Sequence, residues 1–268
     1  MFKKTFFAVF LLLFVPSVFA EVFLVEPFEL SVSDQEVVDL GLVAAGDSVQ
    51  LIVSTDSGTE GVLWDSLSIE STTGPLGWEY SFWQENEKRV SLLFLVPLNL
   101  PENVYEIKIA TENNDYPLKE SFTVRVEVRK NVMQALVSES GPASQDFFVN
   151  GKKNFKITLT NPAITNQKVV ISSDLARGWL EDTVVEVPRK QTKDFIVPVT
   201  ARVHGKKNFS FILKSENTGL EFASFDASIS AKPTLEGKLS ATTFGFPFFS
   251  PSLAHVYFFN SIIGSFFG

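Results

Sequence analysis

The side chains that most often carry chemistry are scarce in this chain and far apart. Its 268 residues include two histidines, His204 and His255, and no cysteine. A serine nucleophile needs a base, and only His204 could serve within a folded module, because His255 lies in an apolar tail. No G-x-S-x-G elbow accompanies it. Zinc needs several nitrogen or thiolate ligands, which this composition does not supply. Oxygen ligands for calcium are plentiful, yet no D-x-[DN]-x-[DN]-G loop occurs, and Glu112-Asn113-Asn114-Asp115 reads as a polar turn. A carboxylate pair for glycoside hydrolysis leaves no sequence signature. A hydrolase with such a cryptic pair is therefore the weakest of three functional readings. The expectation is a chain with no catalytic residue, metal or cofactor.

Two groups of residues suit binding better than catalysis. The first is Trp78-Glu79-Tyr80-Ser81-Phe82-Trp83, where Trp78, Tyr80 and Phe82 would share one face of a strand. Exposed rings there, with Trp83, could stack on sugars; buried rings would serve packing. The second is Gly-Lys-Lys-Asn-Phe, present at 151–155 and again at 205–209. Each copy leads into an apolar strand. Lys152, Lys153, Lys206 and Lys207 would form an anion-binding patch toward lipid or polymer if both turns lie at one end of a module. Asn208-Phe209-Ser210 is the only N-glycosylation sequon, which makes Asn208 a candidate acceptor in an exposed turn.

The elements that position these residues come as a duplicated module. Gly77-Trp78 and Gly178-Trp179 lie 101 residues apart, and so do Leu95-Val96-Pro97 and Ile196-Val197-Pro198. Ser121-Phe122 recurs as Ser224-Phe225 at an offset of 103. A repeat of about one hundred residues is a domain, not a short structural motif. Strict alternation in Phe122-Thr123-Val124-Arg125-Val126-Glu127-Val128 marks a strand with one buried face. The same period runs through Val49, Leu51 and Val53, and through Phe155, Ile157 and Leu159. Turn signals at Asp56-Ser57-Gly58, Thr73-Gly74-Pro75 and Asn217-Thr218-Gly219 separate the strands. No long amphipathic helix interrupts the modules. The expected fold is all-β: two tandem immunoglobulin-like sandwiches, over residues 21–129 and 130–238.

The run Val96-Pro97-Leu98-Asn99-Leu100-Pro101-Glu102-Asn103-Val104-Tyr105-Glu106-Ile107 resembles the V-P-x-x-x-P-x-x-Y-x-I signature of immunoglobulin-like cell-surface modules of bacteria and archaea. These include NEW3-type modules appended to glycosidases and adhesion-type domains. Asp39-Leu40-Gly41-Leu42-Val43-Ala44-Ala45-Gly46-Asp47 with Val49-Gln50-Leu51 resembles their entry into the second strand. The second module departs from the pattern, with Arg202-Val203-His204-Gly205-Lys206 in place of Pro-x-x-Tyr. The resemblance implies an extracellular sandwich and carries no chemistry of its own.

The ends of the chain add an address. Residues 1–20 read as a signal peptide: Lys3-Lys4, an apolar run from Thr5 to Val15, Pro16, then Val18-Phe19-Ala20. Residues 239–268 form an uncharged, phenylalanine-rich tail, expected to be short and partly helical. Its membrane candidates are Phe248, Phe249, Leu253, Val256, Phe258, Phe259, Ile262, Ile263, Phe266 and Phe267. Three readings fit the tail: a marginal anchor, spanning or re-entrant; a segment docking on a membrane partner; or added packing on the second module. Charge is divided unevenly. Residues 21–129 hold six basic and 20 acidic side chains, and residues 130–238 hold 15 basic and 11 acidic. The acidic balance and exported address exclude nucleic acid as the expected partner. The leading expectation is a non-enzymatic, exported, structural or adhesive cell-surface protein. Membrane lipid would be its partner through the tail, with other envelope proteins or surface glycans as further partners. A polysaccharide-binding module using the first domain's aromatics is the alternative, and a freely secreted protein is the alternative address.

Overall fold

The computed structural model describes residues 21–58, 63–73, 78–115, 118–139, 147–235 and 254–267. The expected signal peptide, the Thr73-Gly74-Pro75 turn beyond Thr73, Gly77, and tail residues Phe248, Phe249 and Leu253 lie outside the described residues. The chain divides into two compact units. The first holds the described residues up to Gly41 together with Ser48–Val128. The second holds Leu42–Asp47 together with the described residues from Arg129 onward.

Nine strands are seeded in the first half: β1 (Val22–Glu26), β2 (Leu30–Val32), β3 (Val37–Ala44), β4 (Ser48–Ser54), β5 (Ser66–Thr72), β6 (Glu79–Asn86), β7 (Arg89–Leu95), β8 (Asn103–Glu112) and β9 (Lys119–Arg129). They form one sheet in the order β2-β1-β4-β7-β6 and another in the order β3-β9-β8-β5. Period-two alternation places Leu51, Leu92 and Phe94 of one sheet, and Ile107, Ile109, Val124 and Val126 of the other, in full burial. The order β1-β4-β7-β6 beside β5-β8-β9 is that of an immunoglobulin-like sandwich. Tyr105, near the start of β8, adds the corner that marks such sandwiches: its hydroxyl donates to the Pro101 carbonyl at 2.8 Å.

The second unit contains β10 (Gln134–Glu139), β11 (Lys152–Asn161), β12 (Gln167–Ser173), β13 (Thr183–Val187), β14 (Gln191–Thr200), β15 (Gly205–Ser215) and β16 (Glu221–Ala231). Its sheets run β10-β11-β14 and β13-β12-β15-β16. Phe155, Phe209 and Phe211 meet edge to face at the centre, with ring centroids 5.1 to 5.7 Å apart. Trp179 closes the same core. Both modules are therefore the expected all-β, immunoglobulin-like sandwiches. Helix α1 (Ala254–Phe267) follows in the tail. At 1.5 Å per residue its 14 residues reach about 21 Å, against about 30 Å of bilayer hydrocarbon. Among the described residues no helix is long and apolar enough to cross a membrane.

Candidate functional site

The first candidate surface is strand β6. It sits at the edge of its sheet, and all eight of its residues are exposed. A two-residue connection, Glu87-Lys88, ties it to β7, and the Asn86 side-chain oxygen accepts from the Lys88 N–H at 2.9 Å. Cross-strand partners share a face. Tyr80 stands opposite Phe94 and Phe82 opposite Leu92, so both lie on the core side of the sheet, while Trp83, opposite Ser91, lies on the outer side. Tyr80, Phe82 and Trp83 keep 38% to 51% of their surface exposed. The edge strand thus carries aromatic rings on both faces. Trp78 does not join them. It precedes the strand, and its ring packs edge-on against Phe94 and Tyr105, with centroids 5.7 and 6.0 Å away. Its buried indole N–H has no acceptor among the described residues. The expected row of Trp78, Tyr80 and Phe82 therefore shortens to Tyr80 and Phe82, because a core contact holds the tryptophan.

The second surface is one end of the second unit. Strands β11 and β15 both begin there. Phe148 bridges to Lys232, Asn150 donates to the Ala201 carbonyl, and Gly205 lies opposite Ala231. The two Gly-Lys-Lys-Asn-Phe motifs accordingly meet at the same end. Lys152, Lys206 and Lys207 are exposed. Lys153 is not available in the same way: its ammonium pairs with Glu139 at 2.8 Å and lies 5.3 Å from the Phe155 ring centroid. Asn208 is exposed and lines an open, polar cleft of about 560 Å³ with Glu139, Asp174 and Asp226. Asp174 and Asp226 are both engaged by Ser210, through its N–H and its hydroxyl. No cluster able to hold a metal occurs among the described residues.

Helix α1 rests on this basic end. Tyr257 is buried and its ring stands 6.3 Å from that of His204. Ser261 accepts from the Leu235 N–H at 2.6 Å and donates to the Tyr257 carbonyl. Gly264 brings the helix so close to the Phe148 ring that a methyl group there would sit 3.4 Å from it. Tyr257, Ser261 and Gly264 are spaced by four and three residues, so they form one stripe of a helix. Phe258, Phe259, Ile262 and Ile263 fall off that stripe, between 40% and 63% exposed. Val256 is half-buried. Phe266 and Phe267 belong to α1, but their side chains lie outside the described set. His255 is exposed on the first turn.

A third feature was not visible in the sequence. Asp47 is almost fully buried and faces no cation among the described residues. Its carboxylate accepts from Thr165 Oγ1 and Gln167 Nε2 at 2.5 Å, and from the Ala44 N–H and Asn217 Nδ2 at 3.1 Å. These groups all belong to the second unit, which Leu42–Asp47 joins. Burial pushes the carboxyl above its ordinary value, against the pull of the four hydrogen bonds. In sequence, Asp47 closes the run that resembles the entry into the second strand, and nothing there marks it as buried. Thr165, Gln167 and Asn217, far along the chain, supply what makes it different.

No family model matches the chain, and no curated protein matches it. Among solved structures it is similar to a chimeric titin Z1Z2 carrying an exogenous decorin peptide (9% identity, 79% of this chain and 95% of that one, TM-score 0.39). It is also similar to Clostridium thermocellum CbhA fibronectin(III)-like modules (13%, 78% and 93%, TM-score 0.25) and to the D0-D1 domain of intimin (10%, 72% and 95%, TM-score 0.26). Likenesses this low carry no argument. The immunoglobulin-like fold rests on the strand order and on the Tyr105 corner.

Proposed function

We propose that this is an exported, non-enzymatic, surface-attached protein. Two immunoglobulin-like modules act as a structural or adhesive element, and α1 holds them at a lipid bilayer by lying in its interface. The observation that carries this reading is the division of labour within α1. Tyr257, Ser261 and Gly264 fix the helix to the second unit, and Phe258, Phe259, Ile262 and Ile263 face outward. The helix contains no charged residue. Transfer of the four half-exposed side chains into the acyl boundary is worth about 1 kcal/mol each. That gives a reversible hold, unlike the permanent insertion of a spanning helix. An apolar patch of this kind is seldom left bare on a soluble monomer.

The test is fractionation of cells expressing the full chain and a version ending at Lys238. The full chain is expected with the membranes and the shortened one in the soluble fraction. Equal solubility of both would remove the membrane reading and leave a freely secreted binding protein.

A second reading has its own observation. The exposed Tyr80 and Phe82 on one face of β6 and Trp83 on the other are rings of the kind that stack on sugars. They make the first module a candidate polysaccharide-binding surface. Glycan-array binding lost in Trp83→Ala supports it; no glycan bound by the full chain removes it.

A further inference from the structure

We infer that the helical end of the second unit is a docking surface selective for anionic bilayers, with Lys152, Lys206 and Lys207 reading the head groups beside the apolar face of α1. This rests on the interfacial reading of α1 and adds the lipid class. The charge of the described segments that meet at that end is one-sided. Four described segments meet there through the contacts given above: residues 147–154, 199–208, 228–235 and 254–267. They carry Lys152, Lys153, Arg202, Lys206, Lys207 and Lys232, and no aspartate or glutamate.

The remainder of the module is not similarly basic. All the described acidic side chains of the second module lie outside these segments; Asp174 and Asp226 border them at Asn208, where Ser210 donates to both. Glu139 neutralises Lys153. Arg202 donates one N–H to the Gly178 carbonyl at 2.7 Å. Lys152, Lys206 and Lys207 are exposed and enter no ion pair among the described residues.

A free anion would need a pocket with converging donors. These lysines instead stand at the strand ends on which the helix rests, and an array of separate exposed charges suits an extended, negatively charged plane. Lysines just outside an apolar interfacial helix are attracted by the surface potential of anionic leaflets. They can extend their ammonium groups to head-group level while their stems stay on apolar surface.

The experiment is sedimentation of the full chain with vesicles of phosphatidylcholine alone and of phosphatidylcholine mixed with phosphatidylglycerol, at low and high salt. Binding is expected to be much stronger to the mixed vesicles and to weaken with salt. Lys206→Gln with Lys207→Gln should lower affinity for mixed vesicles roughly thirtyfold and leave weak binding to neutral vesicles unchanged. Equal, salt-independent binding to both compositions would overturn the head-group selectivity and leave the interfacial helix standing. Binding to neither would overturn both. Unchanged binding to mixed vesicles in Phe258→Ser with Phe259→Ser would remove the helix from the account and leave the lysine patch. The salt dependence of the unmodified chain decides the matter even if a variant folds poorly.

Discussion

Strand β6 of the first module pairs with β7; its counterpart in the second module, β13, pairs with β12, in the opposite sheet. Both follow a repeated tryptophan, Trp78 or Trp179, so the difference arises downstream. In the first module Glu87-Lys88 makes a two-residue hairpin, and strands joined so tightly must lie side by side. In the second, Pro188 stands where the 101-residue offset places Glu87. A proline has no N–H to give to a hairpin ladder. Buried Asn161 then captures the turn, donating to the Thr165, Val187 and Pro188 carbonyls at 2.8 to 3.1 Å. Released from β14, β13 lies along β12 and buries Val187. The lesson is that one turn decides whether the strand after the tryptophan becomes an exposed aromatic ledge or part of the core wall.

The modules also differ in how they are held, and substitutions can expose that. The largest expected effect lies in the second module's phenylalanine cluster, which has no counterpart among the described residues of the first. Phe211→Ala should cost about 3–5 kcal/mol. Hydrogen exchange should show lost protection in β11, β12, β15 and β16 first; uniform loss across both modules would mean that the cluster is not local to one.

Asp47→Ala comes next, at about 2 kcal/mol, because Thr165 and Gln167 keep buried donors without an acceptor. Urea unfolding measures it. The pH dependence carries a sign. A carboxyl raised in the folded state takes up a proton more readily there than when unfolded. Its contribution is most favourable below 3.8 and is lost as pH rises through the raised value. Subtracting the profile of Asp47→Asn should isolate that fall. Asp34 in the first module runs the other way. The Ser121 N–H holds it below 3.8, so its contribution is present above that value and lost as pH falls through the lowered one.

Tyr105→Phe should cost about 1 kcal/mol, the worth of one hydrogen bond, and act on the first module alone. The second module has no such tyrosine, and Arg202 on the Gly178 carbonyl stands near its corner instead. Thermal melting would show the small shift. Smallest of all, Trp83→Ser should change stability by less than about 1 kcal/mol, since the ring is an edge-strand side chain on the outer face with 38% of its surface in water. A larger loss would make Trp83 a packing residue and weaken the sugar-stacking reading.

Much of this architecture could be read from the chain. Period-two alternation in β4, β8, β9, β11 and β15 states which face is buried, and burial follows it. The repeat locates Trp78 and Trp179 as partners, because both pack in their cores. Sheet assignment was less legible. Pro188 was visible, but its effect depends on Asn161, 27 residues earlier. The lysine motifs could be read as turns; that they share one end follows from the parallel courses of β11 and β15. Lys153 looked like its neighbours until Glu139 was placed beside it. The tail's composition announced an apolar helix, but its two faces depend on which residues meet Phe148, His204 and Leu235.

The most direct test of the central claim uses the absence of cysteine. Phe259→Cys and, on the exposed turn at the far end of β15, Leu220→Cys would each carry a single environment-sensitive fluorophore. On addition of anionic vesicles, the account predicts a blue shift and gain in intensity at 259, quenched by lipid-borne quenchers, with no change at 220. A probe at 259 that stays in water while the protein is bound, or one that does not respond at all, would contradict it.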